Sequence, residues 1–418
     1  MGEYRERSSR NITGTSSMTD TDVSETDLLR RPLTLPCGVV LKNRLAKSAM
    51  SDSLGDGRGN PTPAQARLYR RWAGGGLALS IIGEVQPTPS FPEKPGNLVL
   101  GASSDAAAFR RLAEAGTANG AQLWAQLGHA GALAYAPISR PAGPSALAVE
   151  DLSCTEMPVD AIRALPGQFA DAAARAKALG LSGVQIHAAH GFLFSQFLSP
   201  LFNRRTDGYG GAIAARCRIL LETIDRVRAA VGSGFPVALK INATDSLDGG
   251  LTEADSLEAL RLLDATSLDL IDISGGTYFP GARSSSDSAG SGPYFVGFAR
   301  RARAVTTKPL MVTGGFKTRA QAADAVARGA TDMVGIARGF ALDPDLGDRW
   351  LSQQGGDPAF PRFSTNPPGG VTAWYTMRLT AIAEDREAAF TDDLETAMQG
   401  YERRDAAREA IWKEAFPV

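Results

Sequence analysis

From about residue 35 onward, short apolar runs alternate with segments of helical periodicity. The runs are LKNRLAKSAM (41–50), LALSIIGEV (77–85), AQLWAQL (121–127), SGVQIH (182–187), PVALKIN (236–242), LDLIDIS (268–274), PLMVTG (309–314) and TDMVGIA (331–337). Several are rich in Val and Ile, and most are flanked by Gly, Pro or Asp. Strands buried on both faces of a parallel sheet read this way. Between them, Leu220, Ile224, Val227 and Val231 recur at helical spacing, with Asp225, Arg226 and Arg228 turned away. Thr62-Pro63 supplies an N-cap and a first-turn proline ahead of Leu68 and Trp72. Thr252 with Asp255 resembles a capping box, and Thr318 opens a helix that Gly329 can close. Eight strand-then-helix units in about 320 residues predict an α/β chain folded as a (β/α)8 TIM barrel. The rival is a doubly wound open sheet, which would carry a G-x-G-x-x-G turn after its first strand. The segment there, SAMSDSLGDGRGNP, opens no glycine-rich helix N-terminus.

Residues 86–103, 131–157 and 275–293 are rich in Pro, Gly, Ser and Asp. Each follows a strand, so each is predicted to extend the C-terminal face, where barrel active sites are built. Past residue 355, GGDPAFPRFSTNPPGG reads as a loop, and AWYTMRLTAIAED with a charged helix over roughly 392–414 reads as a helical appendage. The organisation expected is a barrel over 28–355 and an extension over 356–418 packed on it. Residues 1–27 have no apolar run and carry acids among their arginines, which suits neither a secretory signal nor a transit peptide. They are expected to form a mobile tail.

The 418 residues carry a net charge of -1, with 43% hydrophobic and 21% charged positions. That balance suits a globular chain and disfavours nucleic acid or an anionic membrane as partner, since both attract a basic excess. No run approaches the roughly 18–20 apolar residues of a membrane span. Cys37, Cys154 and Cys217 are too few and too scattered for a disulfide framework, a zinc site or an iron–sulfur cluster. They point to a reducing, cytoplasmic compartment.

A barrel places its chemistry at strand ends. Strand four ends in His187, and His190 follows three residues later, so two of the three histidines sit together. Their N–H groups can stabilise negative charge on a carbonyl or nitro oxygen. The plain alternative is one core and one loop histidine. Strand seven ends at Gly314-Gly315 and strand eight at Gly335-Ile336-Ala337-Arg338. The loops there form the usual phosphate cradle of barrel enzymes, with glycines for close backbone approach and an arginine fork. Gln126 at the end of strand three could meet the polar edge of an isoalloxazine ring, and Lys240 on strand five could face its N1/O2 side. Taken singly, Gln126 reads equally as a rim polar residue and Lys240 as half of a buried ion pair.

The segments LKNRLAKSAMS (41–51), QLGHAG (126–131), GVQIHAAHGFLFSQFLSPLFNRRTDGYGG (183–211), LKINATD (239–245), VTGGFKT (312–318) and GIARGFALDPDL (335–346) resemble the Old Yellow Enzyme family. These are FMN-dependent NAD(P)H:flavin oxidoreductases and ene-reductases, and the resemblance spans roughly 30–350. It implies that Ala49, Met50 and Ser51 lie along the flavin, and that Glu84 falls where members carry a small residue against it. It implies that Gln126 and Lys240 hold the ring's polar edge, and that Gly314, Gly315, Ala337 and Arg338 hold the phosphate. His187 and His190 match the pair that binds the substrate's activating oxygen. One departure matters. The family's tyrosine in HAAHGY, a proton donor to the substrate, is Phe192 here. Tyr278 and Tyr375 are candidate replacements.

The resemblance implies hydride transfer from NADH or NADPH through FMN to an electron-poor alkene (enone, nitroalkene, maleimide) or a quinone. Homo-oligomers occur in the family, so assembly is open. Two other readings stand beside it: an FMN-binding protein with little ene-reductase turnover, and a flavin-free lyase or isomerase barrel using the same phosphate cradle.

Overall fold

The structure is a computed structural model that describes residues 24–282, 292–365, 367–391 and 393–417. Eight parallel strands close a barrel: β1 (Leu45–Met50), β2 (Leu79–Gln86), β3 (Gln122–Leu127), β4 (Gly183–Ala188), β5 (Val237–Asn242), β6 (Leu270–Ser274), β7 (Leu310–Thr313) and β8 (Met333–Ile336). Each pairs with its neighbours in chain order, and β8 pairs with β1 to close the ring. Each apolar run of the sequence covers one of these strands to within a residue at its end. The predicted TIM barrel is the fold.

Alternation along the strands explains both cores. Outward residues such as Val184, Ile186, Leu239, Ile241, Ile271 and Val312 are fully buried against the surrounding helices. These are α1 (Pro63–Gly74), α2 (Ala106–Gly116), α3 (Val159–Ala178), α4 (Ile213–Val231), α5 (Glu253–Asp264), α6 (Val296–Ala302) and α7 (Arg319–Ala327). Inward positions step from apolar to polar along the barrel axis. Near the strand starts Ala238, Leu270, Met311 and Met333 form a plug, closed from below by Leu33, Leu35 and Leu41. Two residues further along the same strands stand Lys240, Asp272, Thr313 and Gly335. The apolar layer seals the bottom, and the polar layer becomes the floor of whatever occupies the top.

Helix starts follow the sequence signals. Thr62 caps α1 by accepting from the Gln65 N–H at 3.2 Å. Thr252 and Asp255 form a reciprocal capping box on α5, and Thr318 and Gln321 another on α7. The predicted tail ends too late: residues 24–27 open a helix, Glu25–Arg30, capped by Ser24, with Leu29 fully buried. The capping serine and the buried Thr26 and Leu29 seat this turn against α7 and α8 (Leu346–Ser352). The rest of that tail, and 283–291 of the loop after β6, lie outside the described residues.

The segment 131–157 is more structured than its composition suggests. It holds a three-stranded sheet of Ala142–Gly143, Leu147–Val149 and Leu152–Glu156. The C-terminal extension forms α9 (Gly370–Ala383) and α10 (Leu394–Ala415). Trp412 of α10 is fully buried with Val99 and Ile138, and Arg404 donates to the Thr380 hydroxyl at 2.8 Å. No helix among the described residues is long and apolar enough to cross a membrane.

Candidate active site

A cavity of about 730 Å³ opens at the C-terminal ends of the strands. Strand register assembles its floor. His187 lies opposite Lys240, and Lys240 opposite Asp272. Gln185 lies opposite Gln126 on the other side. Gln126 donates to the Gln185 amide oxygen at 2.8 Å, and Gln185 donates to Asp272 at 3.3 Å. Thr313 donates to the other Asp272 oxygen at 2.6 Å and meets Ser48 at 2.7 Å. Lys240 pairs with Asp272 at 3.1 Å. Asp272 and Gln185 were not singled out from sequence. Their signal was a lone carboxylate or amide at an inward position of an otherwise apolar strand.

Every residue proposed from sequence lines this one cavity. Ala49 and Met50 end β1, and Ser51 follows. Gly314 and Gly315 follow β7, while Ala337 and Arg338 follow β8. Gly314 and Gly315 have φ of +128° and +81°, where a side chain is strained. A Cβ on Gly315 would lie 2.2 Å from the Gly292 carbonyl oxygen. The Arg338 guanidinium lies 5.6 Å from the centre of the Tyr375 ring, which places Tyr375 at the cradle end. Tyr278 is 53% exposed, with its ring 6.0 Å from that of His190.

The two histidines meet edge to face, with ring centres 5.2 Å apart. His187 Nδ1 accepts from the Ala189 N–H at 3.2 Å, so the ring's own proton sits on Nε2. His190 has φ of +61° and is held by the Asn242 amide oxygen at its backbone N–H, 3.0 Å, and by Ser274 at Nε2, 2.9 Å. Burial and the charge of Lys240 push both rings down, His187 to about 3, so both are neutral at ordinary pH. Phe192 packs 5.0 Å from His187 and is 2% exposed. The third histidine, His129, stacks on Phe91 at 4.2 Å and does not line the cavity.

Glu84 is where sequence reasoning saw least. The pairing of β2 with β3 slips between Ile82 and Val85, leaving Glu84 in a bulge with φ of +57°. Its Oε1 lies 3.3 Å from His187 Nε2. Its Oε2 is buried with no hydrogen-bond partner among the described residues. Burial raises this carboxyl to about 8, against an opposing pull from Lys240. Glu93, Lys94 and Tyr401 also line the cavity, from a loop and from α10. They lie outside the barrel motifs, so no strand-end rule could find them.

The donor set fits FMN. Lys240 Nζ is buried beside Asp272 yet has no hydrogen-bond acceptor in place among the described residues, as a cation awaiting an anionic ring edge would. The glycine pair leaves backbone room, and Arg338 supplies positive charge, where a phosphate would sit.

The family model described as NADH:flavin oxidoreductase / NADH oxidase matches residues 29–354. The NADH-dependent flavin oxidoreductase iliE of Hypocrea jecorina (strain QM6a) is 35% identical over 351 residues, covering 75% of this chain and 86% of that protein. Its namesake from Neonectria sp. (strain DH2) is 35% identical over 352 residues and 76% of this chain, and there the chain spans 46% of the relative's length. Morphinone reductase has the same fold, with a TM-score of 0.67 at 24% identity over 80% of this chain and 91% of its own. The chain therefore belongs to the NADH:flavin oxidoreductase / NADH oxidase family, the Old Yellow Enzyme family, and is an FMN-dependent oxidoreductase that draws electrons from NAD(P)H.

Proposed function

We propose that this protein reduces an electron-poor alkene, such as an enone, nitroalkene or maleimide, or a quinone, with His187 and His190 binding the activating oxygen. The observation that carries the reading is a pair of neutral imidazoles at the end of β4, beside Lys240 and open to the cavity. FMN, when bound, would supply the hydride chemistry between NADH or NADPH and the acceptor. In this reading Gln126 and Lys240 hold the ring's polar edge, and Ala49, Met50 and Ser51 lie along it. Gly314, Gly315, Ala337 and Arg338 take the phosphate. The imidazole N–H groups stabilise the charge that grows on the substrate oxygen, an effect worth about 2.7–4 kcal/mol per donor in favourable sites. A neutral imidazole keeps one N–H, which is the donor this role requires.

A second reading has its own support. Phe192 carries no proton, and the one N–H of His187 faces Glu84. On that basis the protein would bind FMN and accept electrons but turn alkenes over poorly. Anaerobic reduction by NADH and by NADPH, followed by mixing with enones, nitroalkenes, maleimides and quinones, separates the two. Rapid reoxidation by any alkene is the expected result. A flavin that is reduced and then reoxidised only by quinone or oxygen would favour the second reading.

A further inference from the structure

Alkene reduction ends with a proton delivered to the carbon next to the activating group, and Phe192 cannot deliver it. Resting on the alkene-reductase reading above, we propose that Glu84 is a catalytic residue that donates this proton, in place of the phenol absent at position 192.

Geometry carries the assignment. The bulge at the end of β2 holds a non-glycine residue at φ of +57°, a backbone cost that brings a carboxyl to the cavity wall. One carboxyl oxygen touches His187 Nε2 at 3.3 Å, so a substrate oxygen held by the histidines lies beside the acid. The other oxygen is buried and unpartnered, and Gly128 leaves it room, since a Cβ there would come within 2.8 Å of it. Three charged or titratable groups face it: His187 from β4, Lys240 from β5, and Glu93 from the loop after β2. Asp272 already offsets Lys240 at 3.1 Å, and His187 is neutral. Little therefore stabilises the ionised form, and the resting group is the acid. The competing phenols are placed less well: Tyr278 is largely exposed and Tyr375 sits by Arg338.

The step balances. The hydride added at the far alkene carbon derives from NADH or NADPH and leaves an enolate or its nitro counterpart. The electron pair of its C=C bond forms the new C–H bond. The Glu84 O–H bond breaks with its pair staying on oxygen, the substrate C=O or nitro group is restored, and the carboxylate is reprotonated by water.

The test uses the FMN-loaded protein and E84Q, Y278F and E84Q/F192Y. Reoxidation by an enone should fall in E84Q by roughly 10²-fold more than reduction by NAD(P)H does. Reoxidation by a quinone, which needs no proton on carbon, should fall far less. F192Y should restore much of the enone rate to E84Q. The wild-type enone rate should decline as pH rises through about 8, and E84Q should lose that limb. An independent readout is the infrared C=O stretch of a protonated carboxyl in resting protein, present in wild type and lost in E84Q. An E84Q protein that reduces enones at the wild-type rate would overturn the proposal, as would a Y278F protein that alone carries the loss. Should E84Q misfold, the infrared titration of E93Q, which leaves Glu84 as the remaining acid of that pair, decides: an ionised Glu84 at neutral pH sinks the idea. If wild-type protein reduces no alkene at all, the function reading falls and this proposal with it.

Discussion

Single residues in the cavity are set by what lies next to them rather than by their own type. Lys240 is an ordinary buried cation by sequence, but Asp272 at 3.1 Å and the Gln126–Gln185 chain fix it in the floor. Replacing it by Met would leave the Asp272 carboxylate buried without its cation, which usually costs several kcal/mol. We expect K240M to bind FMN much more weakly than wild type and to melt earlier, checked by flavin fluorescence titration and calorimetry. Gly315 makes a complementary case at the cradle. Alanine there combines a positive φ with a Cβ 2.2 Å from the Gly292 carbonyl oxygen. Strain of this kind costs on the order of 1–3 kcal/mol, so G315A should lose FMN affinity before it loses the barrel fold. Retention of wild-type affinity would show that the cradle lies elsewhere.

Elements show how much of this was legible in the chain. The eight strands were readable because parallel strands buried on both faces leave short Val- and Ile-rich runs, and the capped helices because Thr62, Thr252 and Thr318 each carry a local signal. His187, Lys240 and the glycine pair were readable because barrel geometry puts strand ends at the mouth. What was not readable depends on register and on distant packing. Nothing local marks Glu84 as bulged against β3, or Asp272 as the partner of Lys240. The small sheet in 142–156 and the α10 wall of the cavity are likewise set by contacts far along the chain. That wall can be probed. Trp412 anchors α10 with no exposure, and Trp→Ala in a core costs about 3–5 kcal/mol. Because α10 packs outside the ring of eight strands, W412A should release it locally rather than unfold the barrel. Hydrogen exchange should rise along 394–415 with little change in β4 or β5, and acceptor specificity should broaden as Tyr401 leaves the wall.

At the scale of the whole molecule, the buried titratable groups make stability depend on pH in a divided way. His129 and His187 are pushed down to about 3 by burial, and His190 is pushed down as well. A histidine with a lowered folded value contributes stability that is fully present above its unfolded value, about 6.5, and is lost as pH falls below that toward 3. Glu84 and Glu93 run the other way. Burial raises both to about 8, so their contribution is fully present below the ordinary value near 4.5 and is lost as pH rises through 8. Lys47, lowered to about 8 by burial against Trp72 and Tyr69, changes its balance only above that value. The window between about 7.5 and 8 therefore isolates the two carboxyls best, since histidines of the unfolded chain are still half protonated near 6.5 and about nine-tenths neutral by 7.5. Flavin-free protein should lose stability across this window, at up to about 1.4 kcal/mol per pH unit for each proton the folded state retains. Urea titrations at several pH values measure the slope directly. E84Q and E93Q should each flatten part of it, and the double variant should be nearly level. If the double variant keeps the wild-type slope, the carboxyls are ionised in the resting fold, and the acid assigned to Glu84 has no proton to give.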